Sequence, residues 1–181
     1  MVESDLFEIV DPVLRALGTV PEGGEEFGRP PLDVLRYYRR SVRLHWMPVL
    51  GRALSVVAVV RQPVDIGFSK EGYRGLLTRL AMAVNGRFPP WRSPRALAVG
   101  LTALILTPEP IRAEDDATLG TVLGSLPRQR AVPVGLFRMN LGQEAVSFAL
   151  SANPDGLFSE PEQLADALTT RFRRFVPLLE L

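Results

Sequence analysis

The chain has 181 residues and a formal net charge of +1, with 46% hydrophobic and 23% charged residues. That length suits one domain able to bury roughly two-thirds of its unfolded surface, and the balance excludes default disorder and a global field toward DNA or an anionic membrane. Cysteine is absent and His45 is the single histidine, which excludes disulfides, thiolate catalysis, cysteine zinc sites and paired-histidine chemistry, while an all-carboxylate Mg²⁺ or Ca²⁺ site stays open.

The first residues, Met1-Val2-Glu3-Ser4-Asp5, carry neither the basic start nor the apolar core of a secretory signal. Ser4 to Leu17 reads as a short helix in two parts, restarted at Asp11-Pro12 with Asp as N-cap and closed by Gly18. Gly18 to Pro31 is rich in Gly, Pro and Glu without periodicity and reads as a flexible loop. Leu32 to Arg43 reads as a helix: Leu32, Leu35, Tyr38 and Val42 form an apolar stripe, and Arg36, Arg39, Arg40 and Arg43 a basic one. Residues 1–43 are therefore expected to form an N-terminal helical extension on a single domain spanning 1–181.

Ala53 to Arg61 is continuous, β-branched and short, as a strand covered on both faces should be. Ser69 then offers an N-cap to a helix carrying Tyr73, Leu76, Leu77, Leu80 and Val84. Ala96 to Leu106 is a second buried strand. It is the core of the longest apolar run, which is too short to cross a bilayer as a helix, so a cytoplasmic protein without membrane contact is expected. Asp115 or Asp116 caps a helix carrying Leu119, Val122, Leu123 and Leu126. Val132 to Met139 and Ala145 to Ser151 read as a hairpin joined by Asn140-Leu141-Gly142-Gln143. Pro133 implies that the first of these strands is an edge or begins there. Ser159-Glu160-Pro161-Glu162 reads as a capping box, followed by Leu164, Leu168, Phe172, Phe175 and Leu179 at helical spacing, with Pro177 bending or ending the helix.

The fold class expected is α/β: a mixed, mostly parallel sheet of about four to five strands flanked by helices, in core order β-α-β-α-β-β-α, with N-terminal helices. Ala131-Val132-Pro133-Val134, followed by a strand, a turn, a strand and a C-terminal helix, resembles the later half of the thioredoxin-like fold. That family's redox motif needs two cysteines, and none exists here.

Three candidate sites follow. The Arg36, Arg39, Arg40, Arg43 stripe could hold phosphates, with a solvated face as the plainer alternative. The rim beyond the strand ends would gather Asp65, Glu109 and Asp115 as acid, base or metal ligands, with helix capping as the alternative for Asp115. The stiff loop around Trp91 and Arg92 offers a protein-binding surface, or a lid over the core. No GxGxxG, Walker A or GxSxG motif is present, and no cofactor is called for. The reading that follows is a non-catalytic binding or accessory domain acting through protein partners or self-association. A carboxylate-based, Mg-dependent enzyme and a nucleic-acid binder using Arg36–Arg43 are the alternatives.

Overall fold

A computed structural model describes residues 2–24, 32–43, 52–88, 96–126, 131–151 and 157–175. In chain order the elements are α1 (Glu3–Ala16), β1 (Val20–Gly23), β2 (Asp33–Arg43), β3 (Arg52–Arg61), α2 (Lys70–Arg87), β4 (Ala96–Leu106), α3 (Asp115–Gly124), β5 (Ala131–Asn140), β6 (Ala145–Leu150) and α4 (Glu160–Arg171). The six strands form one open sheet whose spatial order follows the chain, β1-β2-β3-β4-β5-β6.

The α/β class stands, but the sheet is mixed rather than mostly parallel. Only β3–β4 and β4–β5 pair parallel, while β1–β2, β2–β3 and β5–β6 are antiparallel. The strands beyond the expected count are β1 and β2, which occupy stretches read above as loop and helix. Residues 1–43 are thus not a helical extension: one helix and two strands of the main sheet lie there. Leu32 to Arg43 fits both periods, because its tyrosines and valines satisfy a helical stripe and also the pleated surface that aromatic and β-branched residues prefer. Ten register pairs with β3 settle the choice.

Helix α1 is also one helix, not two. Pro12 lies inside it, and the carbonyl four residues back belongs to exposed Glu8, where water can replace the missing donor. Asp11 does not cap; its carboxylate accepts from Tyr38 and Arg36 on β2. Helix α2 starts as expected, with Ser69 Oγ accepting from Gly72 N at 3.0 Å. Ser159 makes no side-chain cap to α4 and instead accepts from Arg40. Helix α4 ends at Arg171, before the expected bend.

The crossovers β3-α2-β4 and β4-α3-β5 both step the same way across the sheet. Right-handed connections then place both helices on one face, where Tyr73, Leu76, Leu80, Leu119 and Val122 share a core with Val56, Val60 and Leu136. The opposite face is covered by the terminal helices, with Leu6, Val10, Leu14, Leu164 and Leu168 packed on Tyr38, Val57, Leu104 and Phe137. Near the start of α4 the covering segment comes very close. A Cβ at Gly100 would lie 2.7 Å from the Phe158 ring, and one at Gly135 3.0 Å from Pro161.

Pro133 sits in an interior strand, not at an edge or a strand start. The register jumps there, from Leu101↔Pro133 to Thr102↔Gly135, and β6 pairs only from Gly135 onward. A bulge beside an unpaired flank is where a strand tolerates a residue that cannot donate.

Candidate functional site

The parallel strands β3, β4 and β5 end together, and their outgoing loops are stitched by backbone bonds past the strand ends. Gln62 N donates to Leu106 O and Thr107 N to Met139 O, each at 2.8 Å. Between the loops a cleft of about 470 Å³ is lined by Phe68, Glu109, Arg112, Glu114, Asp115 and Arg138.

At its floor lies Arg138 of β5, 1% exposed. Its Nη1 donates to Asp115 and, at 3.0 Å, to the Pro110 carbonyl; its Nη2 donates to Glu109 at 3.2 Å. The guanidinium stacks on Phe68 with 4.0 Å to the ring centroid, a cation–π contact that is strengthened by the shielding from water. Phe68 in turn meets Tyr73 edge-on.

Glu109 gathers further donors: Gln62 Nε2 at 2.9 Å and Phe68 N at 3.1 Å. Gln62 accepts from the Tyr73 hydroxyl at 2.7 Å. The chain Tyr73–Gln62–Glu109–Arg138–Asp115 therefore ties both rim loops to β5. Asn140 and Gln143 extend it, holding the Pro108, Glu109 and Ile111 backbone from the β5–β6 turn. Chemically this is a clamp. Glu109 and Asp115 each already accept from internal donors, so a substrate proton would compete with those bonds. The Nε of Arg138 finds no acceptor among the described residues.

Of the three rim carboxylates expected together, the structure gathers Glu109 and Asp115 and leaves Asp65 exposed outside the cluster. Asp115 is not explained by capping: it accepts from Arg112 N but is spent on Arg138. Asp116 reaches β6, accepting from Ser147 Oγ and Phe148 N, and pairs with Arg174. Among the described residues no three acidic or histidine side chains come together at metal-ligating spacing.

The arginine stripe does not exist as one face. Strand alternation puts Arg36 and Arg40 toward α1 and α4, and Arg39 and Arg43 on the opposite face. Arg36 pairs with Asp11 at 2.9 Å and stacks on Phe7, Arg39 pairs with Glu22, and Arg40 pairs with Glu160 at 2.7 Å. Arg43 is exposed. Trp91, Arg92 and His45 lie outside the described residues.

Sequence reading missed Arg138, Phe68 and the Tyr73 hydroxyl as parts of the cluster. One signal was available. Arg138 is the single charge in Ala131–Met139, and a charge inside an otherwise apolar strand needs a buried partner.

The three tyrosines, Tyr37, Tyr38 and Tyr73, all have their hydroxyls pushed above the ordinary value of 10.0. Burial is the main cause in each case. A carboxylate acceptor adds to it for Tyr37 (Glu22) and Tyr38 (Asp11), and the nearby charges of Glu109 and Asp115 add for Tyr73. Arg138 opposes the shift at Tyr73. The unfolded chain therefore loses these protons first as pH rises through 10, so stability is full below that pH and falls above it. Alkaline titration should show less phenolate absorbance in the folded protein at pH 10 than in the unfolded chain, then a cooperative rise with unfolding. Equal phenolate absorbance in the two states at that pH would contradict this. Glu22 moves the other way: burial alone would raise its carboxyl, but the Tyr37 and Arg39 donors outweigh it and hold it below 4.5.

No family model matches the chain, nor does any curated protein or solved structure.

Proposed function

We propose that the chain is a non-catalytic binding domain acting through protein partners, self-association included. What supports the reading is the use of its charges. Arg36, Arg39 and Arg40, put forward for phosphate binding, each bond to a carboxylate of the same chain. Glu109 and Asp115, put forward for catalysis, are spent on Arg138. Charges paired in this way are held back from counterion release to a phosphate backbone and from acid–base work. Both crossover helices also lie on one face, so strand order never reverses, and the crevice that serves ligands in doubly wound sheets does not form. No helix among the described residues is long and apolar enough to cross a membrane.

The cleft over Arg138 favours one second reading, an enzyme with a carboxylate rim. Two measurements separate the readings. Light scattering over a concentration series should show a mass above that of one chain, or a defined protein partner should bind with saturable affinity. Thermal shift with Mg²⁺ or Ca²⁺ should show no stabilisation, and RNA or DNA no binding that weakens steeply with salt. Metal-dependent stabilisation that Glu109→Gln abolishes would move the assignment to the enzyme.

A further inference from the structure

Strand β6 is an edge of the sheet whose composition suits self-pairing. Its residues Ala145-Val146-Ser147-Phe148-Ala149-Leu150 include no charge and no proline, and such a segment on an edge is a template for another strand. Its inward and outward positions can be read from the bonds. Ser151 N points to Val134 O on β5, whereas Val146 N and Phe148 N point away from the sheet. Leu150 N, two residues on, shares that outward direction.

Two of these outward donors, Val146 N and Phe148 N, are closed in cis, each by its own device. The chain just after α4 runs along the edge as a stub of parallel strand, with Ala145 bridged to Arg173, Val146 N donating to Arg173 O at 2.9 Å and Arg173 N donating to Glu144 O at 2.8 Å. Beyond this stub, Asp116 of α3 takes the next outward donor, Phe148 N, at 3.0 Å. Arg174 joins the two devices: it pairs with Asp116 at 2.8 Å and stacks on the Phe148 ring at 4.2 Å. Buried Phe172 anchors the segment from below.

We infer that Asp116 and Arg174 form a latch holding the β6 edge closed against a second copy of this chain, which pairs β6 to β6 antiparallel when the latch opens. The occupant follows from the strand itself. An uncharged strand opposite its own copy meets no like-charge repulsion, and a twofold antiparallel pair is self-complementary. The edge already accepts backbone from outside the sheet, since Arg173 forms a bridge to it. The inference rests on the protein-partner reading and names its surface.

The test uses the full chain. Asp116→Ala and, separately, Arg174→Glu, which sets a like charge against Asp116, should each give a dimer mass by light scattering at concentrations where the parent is smaller. Faster amide exchange at Phe148 should accompany it at low concentration. Leu150→Pro, added to either variant, removes an outward N–H that β5 does not use and should restore the parent mass. A dimer that persists with Leu150→Pro, or variants that match the parent mass while Phe148 exchange speeds up, overturns the inference. Should Asp116→Ala fail to fold, the exposed Arg174 position decides by the same criteria. Parental self-association that ignores all three substitutions would leave the partner-binding reading standing and remove this one.

Discussion

Arg138→Met should lower stability by about 3–5 kcal/mol, because it leaves the Asp115 carboxylate buried without its cation. Asp115 and Arg138 are both almost fully enclosed, at 2% and 1% side-chain exposure, whereas Glu109 is 38% exposed and can be reached by water. The cost therefore falls mainly on Asp115. Methionine fills much the same volume, so a cavity contributes little. Urea denaturation should show the midpoint falling with little change in slope. Thermal unfolding should shift down by on the order of 10 °C, at roughly 2–4 °C per kcal/mol for a chain of this size. Adding Asp115→Asn should recover part of the loss, since the stranded charge is then gone. The two substitutions must be non-additive, as they remove the two ends of one contact. A loss below about 1 kcal/mol for Arg138→Met would mean that the cluster is not a clamp.

The second large effect is expected at the other end of the sheet, and it is asymmetric. Glu160 at the start of α4 is 0% exposed and holds Arg40 through Oε1, while its Oε2 finds no donor among the described residues. Arg40 is 24% exposed and so has a path to water. Removing the arginine strands a buried carboxylate; removing the carboxylate lets the arginine turn outward along its apolar stem. Arg40→Met should therefore cost about 3 kcal/mol, softened by the positive end of the α4 dipole. Glu160→Gln should cost clearly less, about 1–2 kcal/mol. Equal losses for the two variants in urea titrations would show that burial does not govern this pair. The surface network of Arg61 with Glu3 and Asp33 makes a useful contrast. Its members are half exposed, and pairs of that kind contribute little.

A recurring arrangement explains why so many arginines sit on or beside strands here. Arg36 lies between Asp11 and Phe7, Arg138 between Asp115 and Phe68, and Arg174 between Asp116 and Phe148. In each the charge meets a carboxylate while the guanidinium plane covers an aromatic ring, a geometry that lysine cannot reproduce. The pairs join α1 to β2, β5 to the start of α3, and the chain after α4 to the start of α3. They bind the chain to itself, whereas the arginine-lined face that helical spacing suggested for Arg36 to Arg43 is divided between two faces by the strand.

What could be read in the sequence by itself was whatever rests on local period and local chemistry. Strands β3 and β4 follow from unbroken β-branched and apolar runs, α2 from its serine cap and apolar stripe, and the β5–β6 hairpin from two strand-like runs joined by Asn140-Leu141-Gly142-Gln143. Their parallel adjacency follows because a helix between two buried strands leaves few other arrangements. Two things were decided only in three dimensions. The 32–43 segment satisfies a helical and an extended pattern equally, and pairing with β3 tipped it, placing its arginines alternately on two faces. The clamp draws Gln62, Phe68, Tyr73, Glu109, Asp115 and Arg138 from three stretches of chain, and no spacing along the sequence encodes which carboxylate meets which guanidinium. That choice belongs to the sheet, which brings the ends of β3, β4 and β5 to one rim and buries the single charge of β5 beneath it.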